Sequence, residues 1–166
     1  NDTPKQLLKM IGDRPLVTIA AQRLIQSGIL PQNIYISTTS GYRERIYKLV
    51  RELGIREEQI FAEPELADTA AAFGYACVKL TKMGRQNAPT FFVTADHIIG
   101  EVTTTFKESY MRAAAAVSDS PLIGIIGIDS KGIPSAEYGH IFMPQESITR
   151  GLFLVNKFKE KPPIEA

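Results

Sequence analysis

The sequence predicts an α/β fold: a three-layer α/β/α domain with a mostly parallel sheet and an antiparallel excursion on one side. Three observations carry that expectation. Short apolar runs at Ile34-Tyr35-Ile36-Ser37, Ile60-Phe61-Ala62 and Phe91-Phe92-Val93 alternate with longer stretches whose apolar residues recur at helical spacing. That alternation is the pattern of parallel strands joined by helices. The run Pro121-Leu122-Ile123-Gly124-Ile125-Ile126-Gly127-Ile128 is too continuously apolar for an exposed strand, so both its faces are expected to be covered. Between Gly132 and Lys159 two strand-like stretches follow each other with no helix between them, which is what an antiparallel pair requires.

Taken in order, residues 1–5 are polar and hold Pro4, so they read as a loop. Leu7, Leu8, Met10 and Ile11 form an apolar patch that ends at Gly12. Asp13 is placed to cap a helix and Pro15 suits its first turn. Leu16, Ile19, Ala20 and Leu24 then recur at helical spacing as far as Gly28. After the first strand, residues 38–41 read as a turn. Tyr42, Ile46, Leu49, Val50 and Leu53 mark a second amphipathic helix, closed by Gly54. The strand 60–62 ends at Glu63-Pro64. An alanine-rich helix starts at Asp68 or Thr69, carries Phe73, Tyr75, Cys77 and Val78, and stops near Gly84. A fourth helix presents Phe106, Tyr110, Ala113, Ala114 and Val117 on one face, and Thr105 and Glu108 have capping-box spacing. Residues 138–142 and 152–158 are the two consecutive strands, and residues 159–166 are a strand exit.

Bulk composition narrows the function. A chain of 166 residues, 44% apolar and 22% charged, is ordinary globular material for one domain with a sizeable core. A formal net charge of +1 implies no nucleic-acid partner. The single cysteine, Cys77, can form neither an internal disulfide nor a cysteine zinc site. It is expected to pack in the core, and a reducing cytoplasm fits it best. No apolar run approaches the roughly 20 residues that span a bilayer, and no signal-peptide pattern opens the chain.

The chemistry centres on residues 90–97, Thr-Phe-Phe-Val-Thr-Ala-Asp-His. Ligands in open α/β sheets bind outside the carboxyl ends of strands, and Asp96 follows such an end. A carboxylate there can hold a divalent metal against a phosphate. It can equally cap a turn or the next helix, and spacing alone favours the cap. Lys5 and Lys161 read, without other information, as solvated surface charges. Glu63-Pro64 reads as the start of a turn, Gly139 as a bulge, and Pro162-Pro163 as a strand stop. His97 suits a structural hydrogen bond as well as it suits a site, and His140 is expected to face solvent or a cleft rim.

Several short motifs nevertheless occur in one order: Thr3-Pro4-Lys5-Gln6-Leu7-Leu8, Ala62-Glu63-Pro64, Asp68-Thr69-Ala70-Ala71, Ala95-Asp96-His97, Gly127-Ile128, Tyr138-Gly139-His140-Ile141 and Phe158-Lys159-Glu160-Lys161-Pro162. This series resembles the sugar-phosphate nucleotidyltransferases, most closely the mannose-1-phosphate guanylyltransferases, over nearly the whole chain. The resemblance implies a Rossmann-like, GT-A-like domain that transfers GMP from GTP to mannose 1-phosphate, releasing pyrophosphate. The nucleophile is already an anion, so such a site needs positioning and countercharge rather than a general base.

Carried across, Asp96 would hold magnesium, Lys5 would contact the triphosphate and Lys161, beside Glu160, would lie near the sugar phosphate. Glu63 and Pro64 would line the base and sugar cleft. Asp68, Thr69 and Ala70 would cover the nucleotide, and Gly139 would let the hexose approach the backbone. Asp96, Lys5 and Lys161 are expected to converge on one rim. The chain departs from the family at Ala67, where arginine is frequent, at Asp68, where asparagine is common, and at Glu137, where glycine is usual.

The resemblance also implies a Gly-rich phosphate loop before Asn1 and a further metal-binding Asp after Ala166. Residues 1–166 are therefore expected to be one incomplete catalytic domain, inactive by itself. Rival readings are a hexose 1-phosphate enzyme using dTTP or UTP with glucose 1-phosphate, a non-catalytic nucleotide-sugar-binding regulatory subunit, or an unrelated α/β module. Self-association into a homo-oligomer is left open.

Overall fold

The computed structural model describes residues 4–65, 68–99, 104–118, 122–129, 136–149 and 151–163. Thr3, Ala67, Pro121, Gly132 and residues 164–166, all singled out above, lie outside them. The chain divides into two compact units, one within Asn1–Glu108 and one within Ser109–Ala166.

In the first unit, a 3-10 turn at Lys5–Leu7 leads into α1 (Leu16–Gln26), then β1 (Ile36–Thr39), α2 (Arg43–Val50), β2 (Ile60–Glu63) and α3 (Asp68–Lys82). β1 and β2 pair in parallel, with Ile36 opposite Ile60 and Thr39 opposite Glu63. Successive strand residues point to opposite faces, and the core follows that rule. Ile60 packs in a cluster with Leu7, Val17, Ala21, Ile46 and Val50, drawn from the 3-10 turn, α1 and α2. Phe61 packs in a second cluster with Ala76 and Leu80 of α3. Helices therefore cover both faces of the parallel pair, which gives the α/β/α layering expected from the sequence.

The helix ends follow local chemistry. α1 and α3 both close with a glycine in the left-handed region, Gly28 at φ +93° and Gly84 at φ +73°. In each case the next residue's N–H reaches back to the carbonyl five residues earlier, Ile29 to Leu24 at 3.1 Å and Arg85 to Leu80 at 2.9 Å. This satisfies carbonyls that the helix itself leaves open. Gln59 is 1% exposed. Its Nε2 donates to the carbonyls of Pro31 (2.8 Å) and Ile34 (2.6 Å), and its Oε1 accepts from the Arg56 N–H (2.9 Å). One side chain thus ties the start of β2 to the approach to β1.

The second unit holds most of α4 (Thr104–Ser118) and an antiparallel pair, β3 (His140–Phe142) with β4 (Lys157–Lys159). The two strands pair antiparallel as expected, but as a sheet of their own and not as further strands of the parallel sheet. The α4 face carrying Phe106, Tyr110, Ala113, Ala114 and Val117 is half-buried, as its spacing predicts.

Several expectations need correction. Residues 91–93 do not form a strand. Phe92 instead stacks on Phe73 of α3, ring centroids 4.0 Å apart, so a side-chain contact rather than a ladder positions the segment. Residues 122–129 are likewise not a strand and are exposed throughout, Ile123 at 93%. A strand needs a partner for its backbone groups, and among the described residues both ladders lie elsewhere. β1 begins two residues later than expected because its register with β2, not its apolar content, sets its bounds. β3 and β4 are shorter than the stretches that predicted them. Asp13 caps nothing: α1 starts behind Pro15, without a side-chain cap. Cys77 is exposed, not packed, because α3 meets the sheet through Ala76 and Leu80, four residues apart on one stripe. Among the described residues no helix is long and apolar enough to cross a membrane.

Candidate active site

The parallel register sets β1 and β2 with their carboxyl ends side by side, Thr39 against Glu63. This is the edge where α/β sheets receive ligands. Glu63 does not wave free there, because the Ser37 hydroxyl donates to its Oε1 at 2.7 Å. The chain then leaves through exposed Pro64 to the start of α3. Tyr75 of α3 donates to the Ala62 carbonyl at 2.8 Å, fixing the helix against the strand end.

Asp68, Thr69 and Ala70 form the exposed first turn of α3. The first N–H groups of a helix have no intrahelical acceptor and carry positive partial charge. That turn therefore offers donors to an anion, while the Asp68 carboxylate itself adds negative charge. Asp68 sits at φ +58°, and Lys161 at φ +40°. Among the described residues these are the non-glycine positions with left-handed φ, a conformation costing about 1–2 kcal/mol. Two residues singled out from the motifs thus coincide with backbone strain, which gathers at functional sites.

Lys5 is exposed, yet its segment is pinned. Leu7, two residues on, is buried in the first core cluster, and the N–H of Leu8 returns to the Lys5 carbonyl at 2.9 Å. Lys161 repeats the device in the second unit, exposed beside buried Pro162. Gly139 lies under the Phe158 ring, which a Cβ would overlap, and the same Cβ would stand 3.0 Å from Glu160 Oε2. Inside the second unit, a residue with a Cβ at this position would have to displace Phe158.

Asp96 is exposed on a turn with Ala95. Sequence reasoning missed what holds that turn. Arg23 of α1, buried at 5% exposure, donates from Nη1 to the His97 carbonyl at 2.6 Å and from Nη2 to the Thr94 carbonyl at 3.5 Å. The available signal was a cation at the seventh position after Leu16, on the apolar stripe of α1. An apolar groove of about 260 Å³ lies beside the same turn, lined by Leu16, Ile19, Ala95 and His97 among others. His97 is exposed and takes part through its backbone; His140 is half-buried in β3.

The structure thus brings together Glu63 and Pro64 with the α3 start at one strand edge, and Gly139 with Glu160 in the second unit. Lys5 and Asp96 stand on separately anchored segments of the first unit. Among the described residues no three His, Cys, Asp or Glu cluster to hold a metal. A lone carboxylate still suits magnesium, which takes most of its ligands from water and phosphate oxygens.

Comparison with known proteins gives this arrangement its setting. Mannose-1-phosphate guanylyltransferase 2 of Escherichia coli O157:H7 is 29% identical over 164 residues, covering 96% of this chain and 33% of its own length. Alginate biosynthesis protein AlgA of Pseudomonas syringae pv. tomato is 25% identical over 163 residues, covering 96% of this chain and 32% of its own. The chain therefore spans about a third of the length of the curated relatives it matches. The nucleotidyl transferase family matches over residues 1–166, and the chain belongs to that family.

Proposed function

We propose that this chain is part of the catalytic domain of a cytoplasmic mannose-1-phosphate guanylyltransferase, which joins GMP from GTP to mannose 1-phosphate and releases pyrophosphate. The observation that carries the reading is family membership over the whole chain, together with the likeness to a mannose-1-phosphate guanylyltransferase. The anchored carboxyl edge of β1 and β2 supports it.

In this reading the sugar phosphate oxygen attacks the α-phosphorus in line, and the protein supplies alignment and countercharge. Asp96 holds the magnesium ion, which neutralises charge on the phosphate oxygens when bound. Lys5 meets the triphosphate and Lys161, with Glu160, the sugar phosphate. Glu63 and Pro64 border the base and sugar. Asp68, Thr69 and Ala70 present the donors at the start of α3 to the nucleotide, and Gly139 keeps the backbone accessible to the hexose.

The test is pyrophosphate release by the full-length protein with GTP, ATP, UTP or dTTP, each paired with mannose 1-phosphate or glucose 1-phosphate. GTP with mannose 1-phosphate is expected to dominate. Asp96→Asn is expected to lower that rate about 100-fold or more while the circular dichroism spectrum is kept. Faster turnover of dTTP or UTP with glucose 1-phosphate would move the assignment to that branch. GTP or GDP-mannose binding without turnover of any pair would make the chain a regulatory subunit.

A further inference from the structure

Arg23 is an expensive residue to bury. Burying a guanidinium takes a charge out of water, and the Arg23 Nε has no hydrogen-bond partner among the described residues. None of the ion pairs found among them includes it. Packing alone does not account for this, because an apolar side chain of similar length fills such a site at lower desolvation cost. What the guanidinium does have is a pair of carbonyl acceptors, Thr94 and His97, 71 and 74 residues away in sequence. They bracket the Ala95–Asp96 turn on both sides. A planar fork can span two carbonyls at once, and hydrogen bonds from a charged donor are the stronger kind. A groove lined by Leu16, Ile19, Ala95 and His97 flanks the same turn, so the contacts that hold the turn to α1 are the two bonds of the fork.

We infer that Arg23 is a positioning residue: it fixes the turn that presents Asp96, and so sets how well that carboxylate holds the divalent cation of the nucleotide complex. The inference rests on the reading of Asp96 given above. Arg23 touches neither metal nor substrate in this role; it acts through the backbone around Asp96. Groups that orient a metal ligand without touching the metal typically contribute 10–100-fold in metal affinity or activity.

The experiment uses the full-length protein with GTP and titrates Mn2+, read by electron paramagnetic resonance, alongside the thermal midpoint. Arg23→Met removes the fork. Arg23→Lys keeps the charge but offers a single ammonium head. Leu80→Ala is the control, since Leu80 is buried against Phe61 and has no part in the turn. Arg23→Met is expected to raise the Mn2+ half-saturation concentration about 10–100-fold. Arg23→Lys should recover only part of that loss. Leu80→Ala should lower the thermal midpoint and leave Mn2+ binding unchanged. An Arg23→Met protein that loses thermal stability like the control but binds Mn2+ as the wild type does would reduce Arg23 to packing and overturn the inference, leaving the proposed activity intact. If Arg23→Met does not fold, Arg23→Lys decides, and wild-type Mn2+ binding in that variant overturns the inference. Wild-type Mn2+ binding by Asp96→Asn would overturn both.

Discussion

The two units of this chain carry similar apolar sequence and use it differently. In the first, Leu7, Val17, Ala21, Ile46, Val50 and Ile60 are buried on one face of the parallel pair, and Phe61, Ala76 and Leu80 on the other. In the second, Ile123, Ile125, Ile126, Ile128, Phe142 and Phe158 are exposed, and among the described residues every buried core hydrophobic lies between Leu7 and Leu80. Apolar content is therefore not what separates them. The first unit has a strand–helix–strand connection whose pairing turns alternate residues toward two helical layers, whereas the second has a three-residue antiparallel ladder whose described residues include no buried core hydrophobic. Burial depends on the geometry that brings partners together, and composition supplies only the demand for it.

The strongest way to break that comparison is to cut into the first core. Ile46 is 2% exposed on α2 and shares a cluster with Val17, Ile55 and Ile60. Ile46→Ala is expected to cost about 2–5 kcal/mol of unfolding free energy, because the surrounding helices can only partly collapse onto the void. Urea denaturation followed by circular dichroism checks it. A loss below about 1 kcal/mol would mean that this cluster is looser than its burial implies.

What could be read from the sequence divides along the same line. α2, which runs into a 3-10 turn at Arg51–Leu53 closed by Gly54, the end of β2 at Glu63, and the start of α3 at Asp68 were all legible, because helical period and glycine stops are local. So was the half-buried face of α4. Residues 91–93 and 122–128 misled because an apolar run reports only that burial would be favourable, while a strand also needs a distant backbone partner. Cys77 misled for a smaller reason: one position of rotation separates it from Ala76, and the sequence does not say which stripe of α3 meets the sheet. The site shows the same limit. Glu63, Pro64 and the first turn of α3 follow from strand-exit logic. Arg23 does not, since its acceptors lie more than 70 residues away and are backbone atoms that leave no mark in the sequence.

A middle-sized effect sharpens the contrast by asking whether the first unit depends on apolar burial alone. Gln59, itself 1% exposed, joins the stretch before β1 to the start of β2 through two donated bonds and one accepted bond, of which the bond to Ile34 is fully buried. Gln59→Ala leaves the Pro31 and Ile34 carbonyls without that donor and is expected to cost about 1–3 kcal/mol. Hydrogen exchange should also quicken at the amides of β1 and β2 more than at those of α4. Equal quickening everywhere would mean that Gln59 supports global stability and not the local joint between the strands.

The smallest expected effect bears most directly on the second unit. Ile123 is 93% exposed and Ile128 86%, so replacing either with serine removes apolar surface that water already reaches. Ile123→Ser in this chain is expected to change unfolding free energy by no more than about 0.5 kcal/mol, the usual range for surface positions. Light scattering should show reduced self-association, because a run of exposed isoleucines promotes it. The two readings separate cleanly. A stability loss approaching that of Ile46→Ala would mean that residues 122–129 are covered in solution. The difference between the units would then lie in which contacts form, and the sequence expectation of a run covered on both faces would be restored.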